Sequence, residues 1–454
     1  MQDIQINSKF VTKGDVFIAI PCENVEENIY EAFNNGAKVV FAESSQNKDV
    51  IIVNDGRLLT SKLAKFRYAE QPDICVALTG TNGKSSVAHF LKQIWTFLGK
   101  KTANLGTLGL FINDDKTNPT DILVPNLTTP DAITLHKLME HLKKEQVTHF
   151  VFEASSHALE QKRLHSADLN AAAFTNFASD HMDYHKNRES YLSSKLRLFY
   201  EILPKDKPVI VSHDYPEIYN EVFKINKNII SFGMSNDNFI KANNINELPE
   251  KIIFDLHCGD KIFKKIEINL FGRFQIMNIL CAISLAVASG SAIEDIVEIL
   301  SKISTLNGRM EHVRSINNGN VYVDYAHTSE GFKCALECFK KVCKGRLICV
   351  FGCGGDRDKS KRQEMGKIAS ELSDIAIVTD DNPRTESPSE IRKQIVEKCP
   401  NAIEIENRKE AISHAISLIE LNDFVVVIGK GHEDYQIYAK ETIHFSDKEE
   451  ILSF

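Results

Sequence analysis

Nowhere in the 454 residues is there an apolar run near the roughly 20 that a bilayer-spanning helix requires, and the opening MQDIQINSKF has neither region of a secretory signal. A membrane or exported protein is therefore not expected, and the cytoplasm is the predicted compartment. A basic excess is also absent: 54 Lys and Arg stand against 62 Asp and Glu, for a net charge of −8. That balance argues against nucleic acid as a partner, which would call for a basic face. Any anion that the protein binds has to be held by local groups. Paired C-x-x-C spacing is missing even where Cys334, Cys338, Cys343, Cys349 and Cys353 crowd together. A thiolate zinc site is excluded on that spacing, and the ten cysteines are expected as free thiols. Internal repeats and low-complexity tracts are lacking as well.

What is present is the pattern of a multi-domain α/β protein. The chain is too long for one core. Short β-rich runs, DVFIAI, AKVVFAE and DVIIVND, separated by helical stretches, make residues 1–72 a small α/β domain. Residues 73–306 open with ICVALTGTNGKSSVAHFLKQIWTFLGK, an apolar strand, a glycine turn and a helix with apolar Val87, Phe90, Leu91 and Ile94. Further strands, THFVFEAS and LNAAAFTNF, predict a largely parallel, ATPase-like sheet covered by helices. After a β-rich stretch and the apolar helix MNILCAISLAVASG, residues 307–454 repeat one rhythm: VYVDYA, RLICVFG, IAIVTD, AIEIE and FVVVIGKG each end in a turn and precede a helix. This predicts a doubly wound, Rossmann-like C-terminal domain whose ligands lie beyond the carboxyl ends of its strands.

TGTNGKSS joins a strand to a helix. Glycines let backbone N–H groups face a phosphate, Lys84 can reach the outer phosphates and Ser85 can ligate magnesium. The loop is shortened, because Leu78 occupies the first glycine position of the G-x-x-x-x-G-K-[ST] pattern. A nucleotide site is expected here. Glu153, at the end of a strand, stands where a metal-binding acid would be, and Asp180, His181, Asp183 and His185 end the next one. In TDDNPRTESP a lone arginine, Arg384, follows a proline between acids; taken alone, such a loop arginine is most often solvated.

TGTNGKSS, TTPD, EASSHALEQKR, SDHMDYH, GRME, DYAHT, GCGGDRDKSKR, DNPRTE and GKGHEDYQ, in that order, resemble the Mur ligase family of peptidoglycan synthesis, and most of all its members that add the third amino acid. The resemblance implies three domains: 1–72 for the uridine end of the substrate, 73–306 for ATP and 307–454 for the amino acid. It implies that ATP activates a carboxylate of UDP-N-acetylmuramoyl-L-alanyl-D-glutamate as an acyl phosphate, which the amine of meso-diaminopimelate attacks, giving ADP and phosphate. ATP and Mg2+ are the cofactors so implied, and a monomer acting on small molecules the assembly.

Residue by residue, the family's motifs put Gly80, Thr81, Asn82, Gly83, Lys84, Ser85 and Ser86 on the phosphates, and Asn278, Arg309, Asp324 and His327 near the rest of the nucleotide. Ser85, Glu153, His181 and a carbamate on Lys195 would serve the metals; Lys84, Glu153, His181 and Lys195 make up the catalytic set. Ser8, Thr128, Thr129, Pro130, Ser155, Gln161 and Arg163 match the groups that hold the muramoyl dipeptide. Ser8 in NSK replaces the family's usual Asp-Ser-Arg, PCENVEEN a glycine-rich loop, Gln275 an asparagine and Gln363 a proline. Arg357, Asp381, Asn382, Pro383, Arg384, Gly429 and Glu433 match the amino-acid pocket. Members that add diaminopimelate carry Asp-Asn-Pro-Arg, and the arginine would grip the distal carboxylate that L-lysine lacks. The rival readings are the same ligation with lysine, a folylpolyglutamate-type ligase, and a phosphate-loop switch that turns over ATP with no muramoyl substrate.

Overall fold

The computed structural model describes residues 3–454 apart from 114, 118, 120, 121, 123–126, 179–184, 186, 249, 250 and 440. The chain divides into two compact units. One comprises residues 1–243, 255–264 and 277–300, the other residues 244–254, 265–276 and 301–454.

The first unit begins with a four-stranded parallel sheet, Ile4–Gln5, Val16–Ala19, Val39–Ala42 and Ile51–Ile52, in sequence order. Its helix Gly56–Arg67 starts at Asp55, whose side chain accepts from Leu58 N–H and so satisfies one of the donors a helix leaves open. A second sheet carries the phosphate loop. Across it run Ile229–Gly233, Val209–Val211, Ala171–Phe174, Ile74–Thr79, His149–Glu153 and Thr102–Gly106, all parallel, then Gly109–Ile112, antiparallel. From Ile74–Thr79 the chain first fills one side with Thr102–Gly106 and His149–Glu153 and then crosses to the other with Ala171–Phe174 and Val209–Val211, so the crevice beyond the carboxyl end of Ile74–Thr79 is a topological switch point. The register pairs Thr79 with Phe174 and Leu78 with Glu153, so the neighbouring strands end level and their loops share one rim.

The helix Lys84–Phe97 follows the predicted apolar spacing: Val87, Phe90, Leu91, Ile94 and Trp95 are fully buried. Burying each such side chain contributes about 1.5–3 kcal/mol, enough to seat the helix firmly behind the loop that precedes it. The apolar helix expected further on spans Phe274–Ala288.

In the second unit the sheet order is Glu311–Ile316, Gly319–Asp324, Phe424–Ile428, Leu347–Phe351, Ile375–Val378, Ile403–Glu404, and all but the first pair are parallel. Cross-strand partners Asp324, Ile428, Phe351 and Val378 lie side by side at the carboxyl ends. Four motifs far apart in sequence, DYAHT, GKGHED, GCGGDRD and TDDNPR, thus leave four adjacent strands at one level. A two-stranded ribbon, Tyr435–Tyr438 with Glu441–His444, completes the unit. All ten cysteines are free, as expected, and Cys75, Cys281, Cys349, Cys353 and Cys399 lie in the core.

Candidate active site

In the first unit the loop 80–86 is shaped by two glycines in conformations that other residues rarely take, φ +143° at Gly80 and +82° at Gly83. A Cβ on Gly80 would stand 2.0 Å from Thr175 Oγ1, and one on Gly83 2.4 Å from Asn278 Oδ1. The loop is tied to the end of the next strand: Thr81 N–H donates to Asn176 O (2.9 Å), Asn82 N–H to Asn176 Oδ1 (2.8 Å), and the Thr175 hydroxyl to Asn82 O (2.6 Å). Lys84 opens the helix and donates its Nζ to the carbonyls of Gly80 and Thr81, both at 2.9 Å.

The Ser85 hydroxyl donates to Glu153 Oε1 at 2.7 Å, and Thr107 N–H reaches the same oxygen at 3.3 Å. Glu153 is 2 % exposed, and its Oε2 is buried with no hydrogen-bond partner among the described residues. A buried carboxylate oxygen left unpaired is costly, and beside a serine hydroxyl at a phosphate loop it suits a hard cation with oxygen ligands. Among the described residues no group of three or more His, Cys, Asp or Glu could hold a metal ion. His181, Asp180 and Asp183 lie outside the described residues. His185 is a buried, hydrogen-bonded histidine, its Nε2 3.0 Å from Ser156 Oγ and its ring 5.6 Å from that of His157.

Lys195, a helix-surface residue by sequence pattern alone, is 1 % exposed. The helix Arg188–Arg197 turns it inward, where Nζ donates to Gly80 O at 2.8 Å and lies 4.3 Å from the centroid of the Tyr191 ring. The loop carbonyl of Gly80 therefore accepts from two lysines.

Next to Glu153, the Thr129 hydroxyl donates to Glu153 O (2.7 Å) and accepts from Ser155 N–H (3.2 Å), while Thr128 Oγ1 lies 3.1 Å from Thr107 Oγ1. Arg163 donates to Thr129 O (2.6 Å) and to Gln161 Oε1 (2.7 Å). Gln161 and Arg163 line a cavity of about 160 Å³ together with Ile6, Ile20, Arg57, Thr60, Asp131 and Ala132. Ser8 does not join this group. It is 3 % exposed and its hydroxyl donates to the carboxylate of Glu31. Arg57 on the cavity wall carried no signal in the sequence.

In the second unit Asp324, 6 % exposed, accepts from Met310 N–H at 2.7 Å and Ala326 N–H at 2.8 Å. Burial raises its pKa, and the nearby Arg309 opposes the rise. Arg309 lies 4.5 Å from the centroid of the Tyr325 ring, which also meets the rings of His327 and His432, each at 4.8 Å. Burial lowers the pKa of His327. Tyr325 thus joins the GRME, DYAHT and GKGHED motifs, a role that no single motif revealed.

Arg384 is half-buried, and its backbone is in the left-handed region at φ +51°, uncommon for a residue with a side chain. The ribbon holds it there: Arg384 N–H donates to Ile437 O (3.0 Å) and Ala439 N–H to Arg384 O (2.6 Å). Its NH1 donates to Gly355 O at 2.7 Å and more weakly to Asn382 O at 3.4 Å. Nε and NH2 meet no acceptor among the described residues, so the guanidinium keeps an unspent donor edge. Asn382 donates to Glu433 Oε2 at 2.9 Å and accepts from Ile437 N–H at 3.0 Å. Lys430, fully buried, donates to both Glu433 Oε2 (3.1 Å) and Asn382 Oδ1 (3.3 Å). Gly429, at φ +125°, leaves room for Asp381, whose Oδ2 would lie 2.9 Å from any Cβ there. Pro383 is buried in the turn. Arg357 is exposed and donates to Asp356 O at 3.3 Å. The second unit therefore gathers a cation with free donors, a carboxylate and an amide, the complement of an amphoteric amino acid.

Residues 78–286 match the model of the Mur ligase middle domain, and residues 308–431 that of the Mur ligase glutamate ligase domain. The chain is 40% identical to the UDP-N-acetylmuramoyl-L-alanyl-D-glutamate–2,6-diaminopimelate ligase of Rhizobium meliloti (strain 1021), over 99% of this chain and 93% of that protein. It is 37% identical to the Rickettsia montanensis protein of the same name, over 99% and 95%. A solved structure bearing that enzyme name aligns with TM-score 0.76 at 28% identity, covering 100% of this chain and 94% of the other. The MurF ligase of Thermotoga maritima in complex with ADP, at 18% identity and TM-score 0.63 over 94% and 93%, shares the fold.

Proposed function

The chain belongs to the Mur ligase family, with that family's three-domain α/β fold, and we infer from this membership and from its site that it is an ATP-dependent ligase adding diaminopimelate, as the meso isomer, to UDP-N-acetylmuramoyl-L-alanyl-D-glutamate in peptidoglycan precursor synthesis. The observation that carries the amino-acid choice is the Arg384 guanidinium, fixed by backbone and by Gly355 with Nε and NH2 unspent, two residues after Asn382, whose amide donates to the carboxylate of Glu433.

The reaction has two displacements. A substrate carboxylate oxygen attacks the γ-phosphorus of ATP, the bond to ADP breaks and an acyl phosphate forms; the amine of diaminopimelate then attacks the acyl carbon, loses a proton and expels phosphate. Charge accumulates on phosphoryl oxygens in the first step. Lys84, the loop amides of residues 80–86 and the positive end of the helix Lys84–Phe97 would offset it. Ser85 and the unpaired Glu153 Oε2 are suited to hold Mg2+, with His181 and a carbamate on Lys195 as further ligands in this reading. The metal would supply charge neutralisation at the β- and γ-phosphates. Asn278, Arg309, Asp324 and His327 would serve the nucleoside.

Thr128, Thr129, Ser155, Gln161 and Arg163 offer hydroxyls, an amide and a guanidinium to the dipeptide, and the cavity lined by Gln161, Arg163 and Arg57 would take the uridine-linked end. In the amino-acid pocket Arg384 would take the distal carboxylate, and Glu433, held by Lys430 and Asn382, the ammonium beside it; Asp381, Arg357 and Gly429 would complete the wall. The limits 1–72, 73–306 and 307–454 mark the parts given to the uridine end, ATP and the amino acid. No helix among the described residues is long and apolar enough to cross a membrane, and this reading puts a monomer in the cytoplasm.

The test is incubation with ATP, Mg2+, the uridine-linked dipeptide and either diaminopimelate or L-lysine, with the tripeptide product identified by mass and phosphate release followed. Product with diaminopimelate only is expected. ATP turnover without the dipeptide would favour a nucleotide switch instead.

A further inference from the structure

The donor edge of Arg384 is useful only if the carbonyl that steers NH1 stays in place, and that carbonyl belongs to a glycine loop on another strand end. Gly355 N–H donates to Asn382 O at 2.9 Å, closing the two loops on each other. The approach is close: a Cβ on Gly355 would lie 1.9 Å from Pro383 O, and one on Gly354 2.9 Å from Arg384 NH1. Glycines permit this contact but cannot enforce it.

Enforcement comes from an ion pair between a buried arginine and a partly exposed glutamate. Arg362, fully buried on the helix Ser360–Leu372, donates NH1 to Glu386 Oε2 (3.1 Å) and NH2 to Glu386 Oε1 (3.0 Å). The same NH2 reaches Gly354 O at 3.3 Å, and NH1 also reaches Gln394 Oε1 at 2.9 Å. Glu386 in turn accepts Asp356 N–H at 2.7 Å, and Asp356 returns across the gap to Thr385, accepting its hydroxyl at 2.7 Å and its N–H at 3.2 Å. Apart from the Arg362 to Gly354 bond, which braces the glycine loop itself, these bonds join residues 354–362 to residues 385–394, on either side of the Gly355 to Arg384 contact. The Arg362 guanidinium, with Asp356 N–H and Lys359, pushes the Glu386 carboxyl down to about 2.

We infer that Arg362 and Glu386 are positioning residues for Arg384 and, on the amide-ligase reading above, set how strongly the enzyme prefers an amino acid with a distal carboxylate. A forked guanidinium on both carboxylate oxygens fixes orientation as well as distance. Glutamine at 386 keeps the shape but loses one acceptor and the charge, so the glycine loop and the Arg384 fork can shift together.

The experiment compares wild type, Glu386→Gln, Arg384→Ala and the double variant in steady-state ligation with diaminopimelate and with L-lysine, alongside thermal unfolding. Glu386→Gln is expected to raise the KM for diaminopimelate about tenfold, the effect of weakening one charge-assisted contact. The preference for diaminopimelate over lysine in kcat/KM should fall by the same factor, with the KM for ATP and for the dipeptide at wild-type values. In the Arg384→Ala background the same substitution should change the preference no further, because the group being positioned is gone. An unchanged preference in Glu386→Gln, or an equal further loss in the double variant, overturns the inference, whatever happens to thermal stability. If Glu386→Gln does not fold, Arg362→Lys, which keeps the charge and cannot hold both oxygens, supplies the same comparison. Failure of the wild type to add diaminopimelate at all would refute the ligase reading instead.

Discussion

Replacing Arg384 separates what its backbone does from what its side chain does. Alanine keeps the left-handed backbone, at φ +51°, and removes the 2.7 Å bond from NH1 to Gly355 O. The lost bond is worth about 1 kcal/mol of stability, a fall in Tm of about 2–4 °C for a unit of this size. Glycine removes the same bond but relieves about 1 kcal/mol of left-handed strain, so Arg384→Gly should melt close to wild type. Catalysis should not follow stability. Two charge-assisted bonds from Nε and NH2 to a substrate carboxylate, discounted because the site is half exposed, are worth about 3 kcal/mol, or about 150-fold in kcat/KM. Both variants should lose that factor for diaminopimelate, chiefly through KM, and leave the KM for ATP and dipeptide near wild type. Arg384→Lys should recover about a tenth of the wild-type value, since an ammonium makes one contact where the fork makes two. Specificity constants for diaminopimelate and lysine, measured beside calorimetric melting, check each value. Equal use of the two amino acids by the wild type, or a loss in Arg384→Ala shared equally by ATP and dipeptide, would refute the reasoning.

At the phosphate loop, Lys84→Ala should abolish ligation, and Glu153→Gln should lower kcat about 100-fold while weakening the response to added Mg2+; near-normal turnover in Lys84→Ala removes the loop from the mechanism. Lys195→Ala should be inactive and partly rescued by short carboxylic acids, and wild type in 13C-bicarbonate should show a carbamate resonance that the variant lacks. Because Lys195 Nζ now donates to Gly80 O, the carbamate form must break that contact; a crystal grown with ATP and bicarbonate showing the same plain ammonium would exclude it. His136, 2 % exposed, has its pKa lowered by burial from 6.5 to about 4. The unfolded chain therefore takes up this proton first as pH falls, so the stability due to the neutral ring is full above pH 6.5 and declines toward pH 4, by about 3 kcal/mol at most. Urea unfolding across that range should show a shallower decline in His136→Leu, and identical slopes would rule out a neutral buried ring.

The phosphate loop was legible because its function is written in contiguous residues: a strand, two glycines that only a turn requires, then Lys84 and Ser85 at a helix start. The alternation of apolar runs and turns likewise determined an α/β chain, since the period of apolar residues follows directly from backbone geometry. The family motifs supplied candidates such as Lys195 and Arg384, but their surroundings were not in the pattern. Lys195 reads as a surface lysine until the fold carries it 115 residues back along the chain to Gly80. Ser8 matched a motif, and the structure spends its hydroxyl on Glu31. Glu153 meets Ser85 across 68 residues only because Leu78 and Glu153 are register partners on adjacent strands. Arg362 and Glu386 close the motifs GCGGDRDKSKR and DNPRTE but were given no role, for an arginine at a helix start and a glutamate on a loop look like solvated charges until the sheet order brings the strand ends at Phe351 and Val378 together. Local chemistry, which depends on neighbours in sequence, was therefore determined by the sequence itself, whereas the burial and pairing of charges were decided by strand order and register, which only the tertiary structure displays.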